Sequence, residues 1–468
     1  AYYLATRADE VYMHPDGAVL LSGFGVYRNY YKSAIDKLLI DWNIFRVGTH
    51  KSAVEPFMLD QMSEADRQST VVLVDQLWGR FQDDVVTARE LPDGALDAVL
   101  DSFVPELEAV DGDLAELALK HGLVDGLLPR DEIIERVVEF AGTDPADDGA
   151  YHATELENYV STMRLTHDDT KSDANVAIIV AAGEIMDGTQ SPGSIGGDST
   201  SELLRRARLD DSVKAVVLRV DSPGGSAFAS EVILDEIDQL RAADKPVVAS
   251  MSSVAASGGY WISMAADKIY ASDVTITGSI GIFGMLPTFQ RSLGALGIST
   301  DGVGTSIWAG QFRPDREMSE EAKALFQLVI NRGYDDFISK VARFRNMDKI
   351  SVDQIAQGQV WTGADALDHG LVDAIGGLDE AVAAAAELAE LEEGEYGRKY
   401  IQKELTATEQ FALEFLRAIA SLGIDASRFI DRQSALTRLA NVVESALDPV
   451  LRFNDPKGVY SHCFCDLR

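Results

Sequence analysis

Apolar positions along the chain keep two rhythms, and they alternate most clearly between residues 174 and 270. ANVAIIVAAGEI (174–185), KAVVLRV (214–220) and PVVASM (246–251) are near-continuous apolar runs rich in β-branched residues. That is the pattern of strands buried on both faces of a parallel sheet. Between the first two runs, TSELLRRARLDD follows a helical pattern. ASEVILDEIDQLRAAD then sets Ile233, Ile237 and Leu240 on one helical face and acidic residues on the other. SSVAASGGYWISMAADK reads as a turn feeding a further helix. Strand, helix, strand, helix predicts parallel βαβ units with right-handed crossovers.

The same text occurs twice. AYYLATRADEVY (1–12) matches GYWISMAADKIY (259–270), and LLSGFG around Gly23 matches GSIGIFG around Gly281. VGTHKSA (47–53) matches VGTSIWA (303–309), DQMSEADR from Asp60 matches REMSEEAK from Arg316, and HGLVDGL from His121 matches HGLVDAI from His369. Matches in one order at a nearly constant offset indicate tandem duplication. The first copy lacks a counterpart of residues 174–258, which implies truncation or processing at its N-terminal side. The expected organisation is the remainder of an N-terminal repeat at 1–142, a polar Asp- and Thr-rich link at 143–173, and a C-terminal repeat at 174–378. A mostly helical extension, opening on an Ala/Glu-rich helix, follows at 379–468.

At 468 residues the chain exceeds one ordinary core. With 46% hydrophobic and 25% charged residues it is of the soluble globular class. A net charge of −35 argues against nucleic acid as a partner, because phosphate binding needs Lys and Arg. No run approaches the roughly 18–20 apolar residues of a membrane span, and no signal peptide is evident. Cys463 and Cys465 sit one residue apart in the tail; with His462 they fall short of a four-ligand zinc site, so no metal is expected.

Two glycine-rich turns carry the candidate chemistry. Ser222-Pro223-Gly224-Gly225-Ser226 follows a strand and precedes a helix, where exposed N–H groups favour an anion or oxyanion. Ala255-Ala256-Ser257-Gly258-Gly259 has the setting of a nucleophile elbow, with Ala in place of the first glycine. Alone, each is an ordinary packing device. One βαβ step apart, both should emerge at the carboxyl edge of adjacent strands, where open α/β folds place their sites. A serine needs a base. The seven histidines (14, 50, 121, 152, 167, 369 and 462) lie outside these turns, and the HGLVD histidines, present in both copies, read as structural. A buried lysine is the alternative, because burial favours its neutral form. Lys51 stands where the twin copy has Ile307, and apolar Phe45, Val47, Val54 and Phe57 flank it, although most lysines are solvated surface groups.

DSPGGS, AASGGYW, TGSIGIFG and RVGTHKSAVEPF, with AQGQVWTGADAL and the tail FNDPKGVY, resemble signal peptide peptidase A in its long, tandem-repeat form, also called protease IV. The resemblance spans essentially the whole chain. It implies an α/β, Clp-protease/crotonase-like fold in two repeats, the first shortened, and a Ser–Lys dyad of Ser257 as nucleophile and Lys51 as base. It also implies that Ser279 orients the lysine and that Gly224, Gly225 and Gly258 form the oxyanion site. The implied activity is endoproteolysis of cleaved signal peptides and other short hydrophobic peptides, without a cofactor. The implied setting is a homotetramer at the periplasmic face of a bacterial inner membrane, held by a segment not found here. The competing readings are a crotonase-type acyl-CoA enzyme, a non-catalytic scaffold, and a Ser257–His50 pair.

Overall fold

The computed structural model describes residues 1–144, 150–166, 173–403 and 454–463. These form two compact units that cut across the sequence repeats. Residues 1–27 with 70–166 make the first; residues 28–69 join 173–403 and 454–463 in the second.

In the second unit the predicted runs become one sheet. Its strands lie in the order Val360–Thr362, Ile276–Gly278, Val247–Ala256, Val213–Ser222, Asn175–Ala182 and Gly397–Tyr400. All neighbours are parallel except the pair formed by Val360–Thr362 with Ile276–Gly278. Lys268–Ala271 pairs with Val247–Ala256 at its other end, and Ala374–Ile375 continues from there. The apolar runs are continuous because both faces are covered. Ala177, Ile179, Val216 and Leu218 pack with Leu204, Ile233, Ile237 and Leu240, from the helices Gly197–Leu209 and Ala227–Ala242. Their neighbours Val176, Ile178, Ala215 and Val217 point the other way, onto Ala381, Val382 and Ala385 of the helix Leu378–Leu388.

A second sheet of six short strands runs Asp41–Val47, Ile282–Thr288, Tyr460–His462, Gly224–Ser226, Glu184–Met186 and Ser194–Gly196. It draws together the first repeat, the second repeat and the tail. Past the Ala/Glu-rich helix, the tail region contributes the edge strand Gly397–Tyr400 and the strand Tyr460–His462. Residues 404–453, where most of the expected helical extension falls, lie outside the described residues.

The first unit is mainly helical around Val11, Val85, Leu96, Ala118, Leu123 and Val124. Its short strands Tyr12–Met13 and Gly126–Leu127 are parallel. Among the described residues no helix is long and apolar enough to cross a membrane.

Candidate active site

The strand Asp41–Val47 pairs antiparallel with Ile282–Thr288 over its full length, Val47 opposite Ile282 and Asp41 opposite Thr288. This carries the first repeat's lysine turn into the second unit. The turn is held by its backbone: Lys51 N–H donates to Gly48 O at 3.2 Å and His50 N–H to Gln357 O at 2.8 Å. Arg46 Nη1 donates to Lys51 O at 3.1 Å and lies 3.6 Å from the buried Glu55 carboxylate.

Ser257 ends the strand Val247–Ala256 and caps the short helix Gly258–Ser263. Its φ of 58° with ψ of −110° lies outside the conformations ordinary L-residues favour. Such strain costs on the order of 1–3 kcal/mol and persists where surrounding structure enforces it. Here Ser257 N–H donates to Gly278 O at 2.8 Å, which helps to hold the turn.

These elements bring three of the sequence-predicted residues together. Lys51 Nζ lies 2.7 Å from Ser257 Oγ, 3.0 Å from Ser279 Oγ and 3.0 Å from Ser279 O. Lys51 is only 1% exposed and Ser257 0%. Burial pushes the Lys51 amine well below its usual pKa, because removal from water penalises the charged form. His50 is not part of the cluster: its Nδ1 sits 3.2 Å from Ser69 Oγ.

The two glycine turns converge beside Ser257. A Cβ on Gly224 (φ +99°) would fall 2.5 Å from Gly258 N, and one on Gly225 (φ +156°) would fall 1.9 Å from Ile185 O. Only glycine fits either position. The turn is further fixed by Gly224 N–H donating to the buried Ser222 Oγ at 3.1 Å.

Sequence reasoning missed one hydroxyl. Ser461 Oγ, from the tail strand, lies 2.6 Å from Ser257 Oγ. Its neighbour His462 is buried, and burial, reinforced by the nearby Lys51, pushes the imidazole down to about 3 against a hydrogen bond at the Gly224 backbone. Cys463, next along, is in a disulfide and is not a free thiol. Among the described residues no group of three or more His, Cys, Asp or Glu side chains is placed to hold a metal ion.

The profile of peptidase family S49 matches residues 1–143 and 239–392. Protease 4 of Salmonella typhi is 41% identical over 462 residues, 99% of this chain and 73% of its own length. Protease 4 of Haemophilus influenzae is 37% identical over 475 residues, 99% of this chain and 74% of its own. The chloroplastic serine protease SPPA of Arabidopsis thaliana is 32% identical over 395 residues, 83% of this chain and 57% of its own. With both repeats matched and such relatives along almost the whole chain, this protein belongs to peptidase family S49 and is a serine peptidase.

Proposed function

We propose that the chain cleaves peptides through a dyad in which Ser257 is the nucleophile and Lys51 the general base. The observation that carries this is the 2.7 Å contact between a fully buried amine and a fully buried hydroxyl. A neutral amine has two N–H donors and one lone pair. Ser279 O and Oγ take the two donors, which turns the lone pair toward the Ser257 hydroxyl. Lys51 takes the Ser257 proton as Oγ attacks the peptide carbonyl. The oxyanion meets the backbone N–H groups of Gly225 and Gly258. Lys51 then gives its proton to the departing amine, leaving an acyl-enzyme. A water, deprotonated by the same lysine, releases the acid and restores the serine.

An acyl-CoA enzyme on such a fold would need an acidic group at these turns. The hydrogen-bond partners of Lys51 Nζ and Ser257 Oγ are serine and lysine atoms. The substrates in this reading are cleaved signal peptides and other short hydrophobic peptides. The proposal extends to a homotetramer at the periplasmic face of an inner membrane. Self-association is favoured by the apolar side chains exposed at Ile298, Val303, Ile307 and Phe312. A fluorophosphonate probe tests the chemistry: the wild type should label at Ser257, and Lys51→Ala should slow labelling about 1,000-fold. Equal labelling of both chains would remove Lys51 from the mechanism.

A further inference from the structure

Ser257 is fully buried, and the chain's own tail lies against it, with Ser461 Oγ 2.6 Å from Ser257 Oγ. We infer that the segment Asn454–Cys463 is a built-in occupant of the peptide groove, and that a substrate binds only where this segment has left. The inference rests on the assignment of the groove to Ser257.

The strand Tyr460–His462 fills the gap between Gly224–Ser226 and Ile282–Thr288, antiparallel to both. Those two strands flank the dyad, so an incoming peptide would pair with them as an added strand. The tail already does so in register. Ala227 N–H donates to Val459 O at 3.1 Å, Cys463 N–H donates to Pro223 O at 2.8 Å, and Ser461 stands opposite Gly225 between them. The Ser461 carbonyl lies against the oxyanion turn: Cβ atoms on Gly224 and Gly258 would fall 2.1 Å and 3.0 Å from its oxygen. Its hydroxyl meets Ser257 Oγ at 2.6 Å. Ser461 thus sits where the residue carrying the scissile carbonyl would sit.

One carboxylate secures the segment. Asp455 Oδ2 accepts from Ser226 Oγ at 2.6 Å and Phe228 N–H at 2.9 Å, and its Oδ1 accepts from Lys457 and Val459 N–H. This anchor lies before the paired stretch and touches neither Lys51 nor Ser257. Because the occupant is tethered, it competes at an effective concentration on the order of millimolar, against which a free peptide must bind.

The test reads binding and not turnover, so failure of the dyad would leave it unchanged. Ser257→Cys with Ser461→Cys joins two atoms already in contact through near-isosteric substitutions, and the locked chain is compared with Ser257→Cys alone. The probe is a fluorescein-labelled synthetic peptide of residues 454–462, followed by polarisation with and without dithiothreitol. The oxidised double variant should bind it at least about 10-fold more weakly than the single variant, and reduction should restore binding. Equal affinity of the oxidised double and single variants overturns the inference, as does absence of binding by every form. A second arm uses Ser257→Ala with and without Asp455→Ala; loosening the anchor should strengthen probe binding about 10-fold, and unchanged or weaker binding by a folded double variant also overturns it.

Discussion

Where the two sequence repeats overlap, they share a clasp and part at the lysine turn. In the first, Tyr2 Oη donates to Leu123 O at 2.8 Å, Val11 N–H to Asp125 Oδ2 at 2.7 Å, and Arg89 binds both Asp125 and Gly122 O. In the second, Tyr260 Oη donates to Leu371 O at 2.9 Å, Ile269 N–H to Asp373 Oδ2 at 2.7 Å, and Arg345 binds both Asp373 and Gly370 O. Even the strand register repeats: Tyr12 faces Gly126 as Tyr270 faces Ala374. The HGLVD motif is therefore a structural clasp in both copies. At the other turn, Lys51 is 1% exposed while Ile307 is 68% exposed. Bonds kept in both copies hold the fold; the position that parted company holds the candidate chemistry.

This contrast is sharpest for the lysine. Lys51→Arg keeps the positive charge at every accessible pH and adds bulk, so peptide cleavage should fall about 1,000-fold or more across the whole pH range. Wild-type kcat/KM should instead rise with pH through the lowered amine pKa. Activity in the arginine variant would break the comparison.

The clasp should matter to stability and not to chemistry. Arg345→Met strands the Asp373 carboxylate and the Gly370 carbonyl, and should cost about 3 kcal/mol in urea unfolding while activity per folded molecule stays unchanged. Arg89→Met should do the same to its own copy. Lost turnover without lost stability would assign the clasp to the site.

Burial of Lys51 leaves its own mark on stability. Its pKa is lowered on folding, so between its folded and unfolded values the unfolded chain binds the extra proton. Stability therefore declines as pH falls through that window and levels off below the folded value. Lys51→Met removes this dependence; its stability relative to wild type should grow by about 1.4 kcal/mol per pH unit as pH falls from about 10. Parallel stability curves for the two proteins would mean the amine is charged when folded. The smallest effect is expected for Ile307→Lys, less than about 0.5 kcal/mol in thermal unfolding, because the side chain is already in solvent.

Much of this was legible in the chain. The apolar runs at 174–185 and 214–220 are so uniform because each strand is covered on both faces, and uniformity is easy to read. Lys51 was legible because its twin is a hydrocarbon. The strand Gly397–Tyr400 was not: among the described residues it pairs only with Asn175–Ala182, and Arg398, Lys399 and half-exposed Tyr400 lack the apolar signature. Ser461 was invisible for another reason. Its position follows from antiparallel pairing with Gly225, far back in the chain, and nothing in a three-residue strand announces its neighbours.

The lysine and the serine are 206 residues apart in the chain. A ribosome adding about 5–20 residues per second makes Lys51 some 10–40 seconds before Ser257. Neither the amine nor the hydroxyl is unusual until the strand Asp41–Val47 finds Ile282–Thr288. On the proposed dyad, a half-made chain thus has no site with which to attack its neighbours, and the capacity to cut peptides arrives together with the completed fold.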